Sequence, residues 1–218
     1  TTGGIAAFSE LINATQNPKR VSCTLFLHAS VKGDRKTVER IARNLQCLTL
    51  SSVLENFSIL YDPITNGEAE PSTIDAAWLS TALLVWPRPV TATDHVIRLV
   101  LDRSSLAHHA ITVRDVERAL RVYLSPDKAH IVCTHPANTT DAVVVRIRLL
   151  NLNAITKQRI SRAETEEERL TLEHSALEYI CIGLTHDVRM SGLRDVHSVF
   201  VEEYTHTDIL TGEKQKEY

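Results

Sequence analysis

The chain has 218 residues and a formal net charge of −3, with 43% hydrophobic and 23% charged residues. This length and composition predict a soluble globular protein of one large or two small domains with a substantial hydrophobic core. The net charge provides no global positive field that would draw the chain to nucleic acid or to a membrane, so any contact with DNA has to be local.

The cysteines are too dispersed to form a typical metal motif. Cys23, Cys47, Cys133 and Cys181 lie far apart and form no CxxC pair, which argues against a zinc ribbon. The sequence shows no signal peptide and no apolar run long enough to span a bilayer. We therefore expect an intracellular, soluble protein with free thiols rather than a disulfide framework.

The first part of the chain alternates predicted helices and strands. Apolar residues at helical spacing predict a helix over residues 5–15, which ends before Pro18 because proline disfavours helical geometry in the preceding residue. The β-rich stretch 21–28 predicts a strand, residues 34–48 a second helix and residues 51–61 a second strand.

The middle of the chain contains two breaks. Residues 62–75 hold two prolines and an Asn-Gly and predict a loop, and a second break follows at 86–94. The stretch 76–86 between them fits either a buried strand or a helix. Residues 95–103 alternate as a strand, and residues 112–124 carry inward-facing apolar residues at helical spacing.

The last third completes an α+β pattern. Residues 129–135 and 141–150 predict two strands of an antiparallel hairpin, and residues 163–184 a helix whose acidic start complements the helix dipole. Residues 192–204 predict a turn and a strand, and residues 210–218 a hairpin turn leading into another strand. The predicted fold is a mixed, mainly antiparallel sheet with helices on one face.

Most motifs that suggest chemistry fail on spacing. Gly3-Gly4 lacks the GxGxxG or Lys-Ser/Thr pattern of a phosphate loop, and Cys133 with His135 supplies only two candidate metal ligands. His108-His109 fits an exposed loop pair. The consecutive acidic residues 166–168 point in different directions on a helix and indicate a solvated turn. We predict no catalytic residue and no metal site from these patterns.

Two basic clusters leave alternatives open. Arg114, Arg118 and Arg121 recur at i, i+4 and i+7 opposite the apolar stripe of their helix, a pattern suited to phosphate contacts. Interleaved acidic residues also fit a solvent-facing, ion-paired helix. Lys19-Arg20 forms a smaller basic spot with the same two readings. From the residues alone, the chain fits a free-standing intracellular α+β protein-interaction module without catalysis.

Several stretches, in order, resemble the largest subunit of multisubunit RNA polymerases, with polymerase II of eukaryotes the nearest likeness. The segment "GGIAAFSELINATQN" follows the family pattern GVPRLKEIINVAKN, which comes directly after the trigger loop, with Glu10 in register. Residues 40–63, ending in Tyr-Asp-Pro, residues 96–124 with Leu-Asp-Arg, and residues 178–204 continue the resemblance. The family's Arg and Lys in the first stretch are Ala7 and Ser9 here.

The resemblance implies a cleft and jaw segment that borders downstream duplex DNA during transcription. It divides the chain into a trigger-loop base with cleft residues at 1–48, a jaw domain at 49–195 and a return into the cleft at 196–218. Glu10 would lie at the base of the trigger loop, and Lys19, Arg20, Arg114, Arg118 and Arg121 are the DNA-proximal candidates.

The resemblance also implies the setting of the segment. The aspartates that hold catalytic magnesium lie far upstream in the family, so no cofactor is expected in this segment. The expected partners are other RNA polymerase subunits, downstream DNA and transcription factors, with no membrane, and the expected location is the nucleus.

Overall fold

The computed structural model describes residues 8, 12–13, 22–63, 75–87, 89, 92–135, 142–150, 165–207 and 214–217. The chain divides into two compact units, Thr1–Arg40 with Val201–Tyr218 and Ile41–Phe200. The expected division at residues 48 and 195 remains a prediction.

A four-stranded antiparallel sheet forms the centre of the larger unit. Its strands lie in the order β2-β3-β5-β4, so β3 and β5 are neighbours in the sheet although β4 lies between them in sequence. The predicted hairpin partners, β4 and β5, pair from Ala129↔Leu149 to Cys133↔Val145. In the described residues every strand pairing is antiparallel. The strands of this sheet are β2 Leu54–Tyr61, β3 His95–Leu101, β4 Ala129–Cys133 and β5 Val143–Leu149.

Five α-helices have defined bounds among the described residues, and capping side chains set the start of four of them. Asp34 caps the helix that begins at Arg35 by accepting from the N–H of Lys36 at 3.1 Å. Asp102 accepts hydrogen bonds from the backbone N–H groups of Ser104 and Ser105, and Thr112 forms a reciprocal capping box with Asp115. Thr165 caps the longest helix by accepting from the N–H of Glu168. The helices are α1 Arg35–Leu45, α2 Ala76–Val85, α3 Arg103–His108, α4 Val113–Leu124 and α5 Glu166–Asp187.

The hydrophobic core lies between one face of the sheet and helices α4 and α5. Alternate residues of β3 and β5, such as Leu99 and Ile147, are fully buried there. Leu120 of α4 and Leu177 of α5 pack into the same cluster. Burial of each such side chain stabilises the fold by about 1.5–3 kcal/mol. The opposite face of the sheet carries arginines, and Asp75, directly before α2, lies on that face because it bonds two of them.

A second, two-stranded ladder ends the larger unit. Strand β1, Leu48–Thr49, pairs with β6, Arg189–Ser191, and a short 3-10 helix, Leu50–Ser52, follows β1. Gly192 comes directly after β6 with φ +84°, and a Cβ at this position would lie 1.9 Å from the carbonyl oxygen of Gln46. Only glycine combines this conformation with this close approach.

The smaller unit contains a hairpin in its described residues. Strand β7, Tyr204–Thr207, pairs with β8, Lys214–Glu217, which confirms the predicted hairpin near the end of the chain. Of the helix predicted over residues 5–15, only Phe8, Ile12 and Asn13 are described, so this prediction lies largely outside the described residues.

Two strand predictions were wrong, and the stretch left open is a helix. Residues 22–28 form no strand, and Phe26 is 90% exposed, so the apolar alternation there is not buried against a sheet. Residues 192–203 also form no strand, because the chain turns at Gly192 and regular pairing starts only at Tyr204. The stretch 76–86 forms α2. None of the helices described combines the length and apolar character needed to cross a bilayer.

Candidate functional site

The three arginines predicted as a basic ridge lie on α4 but differ in their environments. Arg121 is bound within the protein: its Nε and Nη2 donate to Glu117 Oε1 at 2.9 and 2.7 Å, and Nη2 also donates to the carbonyl oxygen of Ile131 at 3.1 Å. These bonds join α4 to β4. For Arg121 the structure therefore favours the ion-paired reading.

Arg118 and Arg114 are the members of the ridge that face solvent. The side chain of Arg118 is 75% exposed, and its contact with Asp115 is long, at 3.3 Å from Nη1 to Oδ1. Arg114 is exposed as well. An exposed guanidinium keeps its donors available for a phosphate oxygen, so these two positions retain the predicted capacity for anion contact.

The remaining predicted site residues fall elsewhere. Glu10, Lys19 and Arg20 lie outside the described residues. Cys133 donates to Glu117 Oε2 at 3.3 Å, and burial together with the Glu117 carboxylate raises the pKa of this thiol to about 12. The thiol is therefore a protonated structural group and not a ready metal ligand. Within the described ranges, no group of three or more His, Cys, Asp or Glu side chains is arranged to hold a metal ion.

A buried ion network covers the second face of the sheet. Asp75 accepts from Arg98, with 2.9 Å between Nε and Oδ2, and from Arg146 Nη1 at 2.7 Å. Arg146 also donates to Asp62 Oδ2 at 2.8 Å through Nη2, and Arg148 donates to the same oxygen of Asp62. Apart from Arg98, which is 14% exposed, these side chains are almost completely buried.

Arginine contacts keep the Asp75 carboxylate charged in its buried position. Burial alone would raise the pKa of Asp75, but the hydrogen bonds and charges of Arg98 and Arg146 outweigh it and hold that pKa below its ordinary value. Arg148 also donates to the backbone carbonyls of Thr93 and Asp62, at 2.7 and 2.9 Å. Residues 62 and 75, which flank the predicted loop, are thus both fixed to the sheet.

The sequence contained a partial signal for this network. In the β5 stretch VVVRIRL, Arg146 and Arg148 recur with period two and so share one face of an apolar strand. A buried arginine requires an acceptor, but nothing local identifies Asp62 and Asp75, which lie 84 and 71 residues from Arg146. In the sequence, Arg146 and Arg148 only interrupt an apolar run, and no buried ion network was predicted from them.

A second buried polar pair joins β3 to α5 and was also missed. His95 Nδ1 lies 3.1 Å from Glu173 Oε1, with both side chains at most 7% exposed. The His95 ring stacks edge-on against Tyr61 and His174, at centroid distances of 5.2 and 5.9 Å. Arg169 Nη1 lies 3.4 Å from the other oxygen of Glu173. The pair positions α5 over the sheet and lies outside the exposed basic surface.

Comparison with known proteins links this fold to transcription. Residues 48–182, which contain the whole four-stranded sheet, match the family model described as RNA polymerase Rpb1, domain 7. Two relatives from Trypanosoma brucei brucei, the DNA-directed RNA polymerase II subunits RPB1-B and RPB1-A, are each 27% identical over 154 residues. The match covers 67% of this chain and 8% of each relative, so the chain spans a small part of their length. Because the family model covers more than half of the sequence, this chain belongs to the family of RNA polymerase Rpb1, domain 7.

Proposed function

We propose that this chain is the cleft and jaw part of the largest subunit of a DNA-directed RNA polymerase II, where it borders downstream duplex DNA. The observation that carries the proposal is the family match over residues 48–182, which takes in the central sheet, α4 and most of α5. The two trypanosome relatives are named as polymerase II subunits, which supports the polymerase II assignment. The free-standing interaction module is not favoured.

The DNA-facing surface that we propose is the exposed side of α4. Arg114 and Arg118 present solvent-facing guanidinium groups on a helix whose buried face is anchored by Val116 and Leu120. A rigid, anchored helix holds charged side chains at a fixed distance from a neighbouring duplex, which suits backbone contact without sequence readout. Arg121 is removed from this surface, because Glu117 and Ile131 occupy its donors.

The catalytic setting is part of the same proposal. Nucleotidyl transfer would belong to the complete polymerase, with magnesium held by other residues of the enzyme, and this segment would support the path of the DNA. Glu10 would act at the base of the trigger loop, where it biases opening and closing. Other polymerase subunits and transcription factors would be the partners, the compartment would be the nucleus, and no membrane would be involved.

The test of DNA contact uses the intact polymerase that contains this chain. In a complex with the double variant Arg114→Ala/Arg118→Ala, retention of a downstream duplex is measured against salt concentration. The logarithmic slope should fall in magnitude by about 0.9 for each lost phosphate contact. Arg194→Ala is the matched control, since Arg194 is exposed and lies outside α4. A slope equal to that of the unmodified complex would remove α4 from the DNA path.

The test of polymerase membership is a purification. The chain is tagged at its natural locus, and the complex is isolated at moderate salt and examined by mass spectrometry. Recovery of polymerase II subunits in constant proportion is the expected result. Recovery of the tagged chain without any polymerase subunit would contradict the proposal and return the free-standing module as the better reading.

A further inference from the structure

The larger unit carries a surface groove that shares Arg118 with the proposed DNA-facing side of α4 but is otherwise lined by other residues. Its volume is about 780 Å³, and its wall is formed by the C-terminal half of α1, the turn after α3, one side of α4 and strand β6. All of these residues belong to the same compact unit. This volume lies within the range of ligand-binding clefts in proteins.

The groove is cationic although the chain as a whole is acidic. Three arginines from three different elements line it, together with the His108-His109 pair, whereas two aspartates do so. Asp115 is already engaged by the backbone N–H and hydroxyl of Thr112 and by Arg118, and Asp187 Oδ2 accepts from the Tyr123 hydroxyl at 3.2 Å. The arginines are Arg43, Arg118 and Arg189.

Arg189 is the most available of these cations. It is exposed, and among the residues the structure describes its side chain makes no hydrogen bond or ion pair. Strand β6 fixes its backbone through pairing with Thr49 of β1. A cation on a fixed strand that lines a concave surface is suited to hold a carboxylate ligand.

The groove also has an apolar element. Val122 is 80% exposed, whereas Val116, Leu120 and Leu124 of the same helix are buried, and it borders the groove beside Ala119. Val122 therefore gives the groove an apolar side chain against which an apolar side chain of a partner can pack.

From this combination, we propose that the groove binds an acidic peptide segment of another protein, with carboxylates facing the arginines and an apolar side chain against Val122. Charge complementarity identifies the occupant: the ligand has to be anionic, and it has to bring apolar surface. A DNA duplex meets only the first condition. It is also too broad to enter a groove of this volume.

The histidine pair makes the peptide affinity of the groove depend on pH. Burial, the neighbouring His108 and the charge of Arg43 lower the pKa of His109, so it is neutral at pH 7.5 in the free protein. A bound carboxylate would favour its protonated form, and peptide affinity should therefore rise as the pH falls towards 6. The other charged groups that face the groove are His108, Asp115, Arg118, Asp187 and Arg189.

The experiment uses the purified protein that contains this chain, in its natural assembly, and a fluorescent 12-residue peptide in which glutamate and leucine alternate. Fluorescence anisotropy at 50 mM salt should show saturable binding that is several-fold tighter at pH 6.0 than at pH 7.5. Arg189→Glu should weaken it at least tenfold, and Val122→Asp should do the same. Arg194→Glu, an exposed arginine outside the groove, is the matched control and should leave the affinity within twofold of the unmodified chain.

Further probes separate the other occupants. A peptide with glutamine in place of glutamate should not bind, and a 20-base-pair duplex should bind with an affinity that Arg189→Glu leaves unchanged. The proposal is overturned if the acidic peptide does not bind, if Arg189→Glu and Arg194→Glu act equally, or if Arg189→Glu abolishes duplex binding instead. It is likewise overturned if sedimentation shows that Arg189→Glu converts a dimer to a monomer, because the occupant would then be a second copy. Failure of the DNA-facing role of α4 would change only the duplex measurement and would leave the peptide affinities unchanged, so the two failures are distinguishable.

Discussion

Arg98 of β3 and Arg146 of β5 are direct cross-strand partners, and both donate to the carboxylate of Asp75. Like charges opposite each other on one face of a sheet are destabilising unless an opposite charge lies between them. Asp75 supplies that charge from a position just before α2, and Asp62 does the same for Arg146 and Arg148. The second face of the sheet is therefore closed by paired charges, whereas the first face is closed by apolar packing.

Replacing Asp75 should show how much the stability of the fold depends on its charge. Asp75→Asn removes the charge that separates Arg98 from Arg146 and leaves two buried guanidinium groups facing each other. We expect the free energy of unfolding to fall by about 3–5 kcal/mol in urea titrations, the usual cost of breaking a buried ion pair from one side. Asp127→Asn, at an exposed turn position, is the control and should change it by less than about 0.5 kcal/mol. Equal effects of the two variants would contradict the role of Asp75.

The same carboxylate predicts how stability changes with pH. The pKa of Asp75 is lower in the folded chain than its ordinary value of 3.8, because the bonds from Arg98 and Arg146 outweigh the effect of burial. A lowered folded pKa contributes stability that is present above the unfolded pKa and is lost as the pH falls through the folded one. The unfolding free energy should therefore decline below about pH 4, and it should decline less steeply in Asp75→Asn. Parallel pH curves for the two proteins would contradict this assignment.

The fold was predictable from local patterns where those patterns coincide with burial. The alternation of β3 and the heptad-like spacing of α4 both correspond to residues buried in the core, such as Leu99 and Leu120. The same alternation at residues 22–28 forms no strand, because alternation identifies a face but not a partner for it. Strand formation depends on a neighbouring strand, which is a tertiary property.

The site was predictable only in part, for a related reason. The spacing of Arg114, Arg118 and Arg121 placed them correctly on one helix, but whether an arginine is free or paired depends on residues from other elements. Ile131, whose carbonyl binds Arg121, comes from β4. The buried network depends on contacts across 71 and 84 residues, and no local pattern predicts contacts over that separation.

The difference between Arg121 and Arg118 can be measured directly. Arg121→Ala removes a two-point bond to Glu117 and the link to β4, so it should lower the unfolding free energy by about 1–2 kcal/mol. Arg118→Ala removes one long, exposed contact and should cost less than about 0.5 kcal/mol. Retention of downstream DNA by the intact polymerase should instead fall more in Arg118→Ala than in Arg121→Ala. Equal stability losses, or a larger DNA effect for Arg121→Ala, would contradict the division of roles.

Gly192 and Gly183 provide a matched pair for the backbone. At Gly192, φ is +84° and an added Cβ would lie 1.9 Å from Gln46 O, so Gly192→Ala has to displace β6 from the residues before β1. We expect it to lower the unfolding free energy by about 2 kcal/mol or more. Gly183 lies within α5 with no heavy atom within 4 Å of an added Cβ, so Gly183→Ala should raise stability by about 0.5–1 kcal/mol through helix propensity. Urea titration of both variants measures the two changes in the free energy of unfolding. A loss of stability in Gly192→Ala beside a gain in Gly183→Ala would show that the surroundings of residue 192 require glycine. A shared sign would mean that the turn after β6 accommodates a side chain.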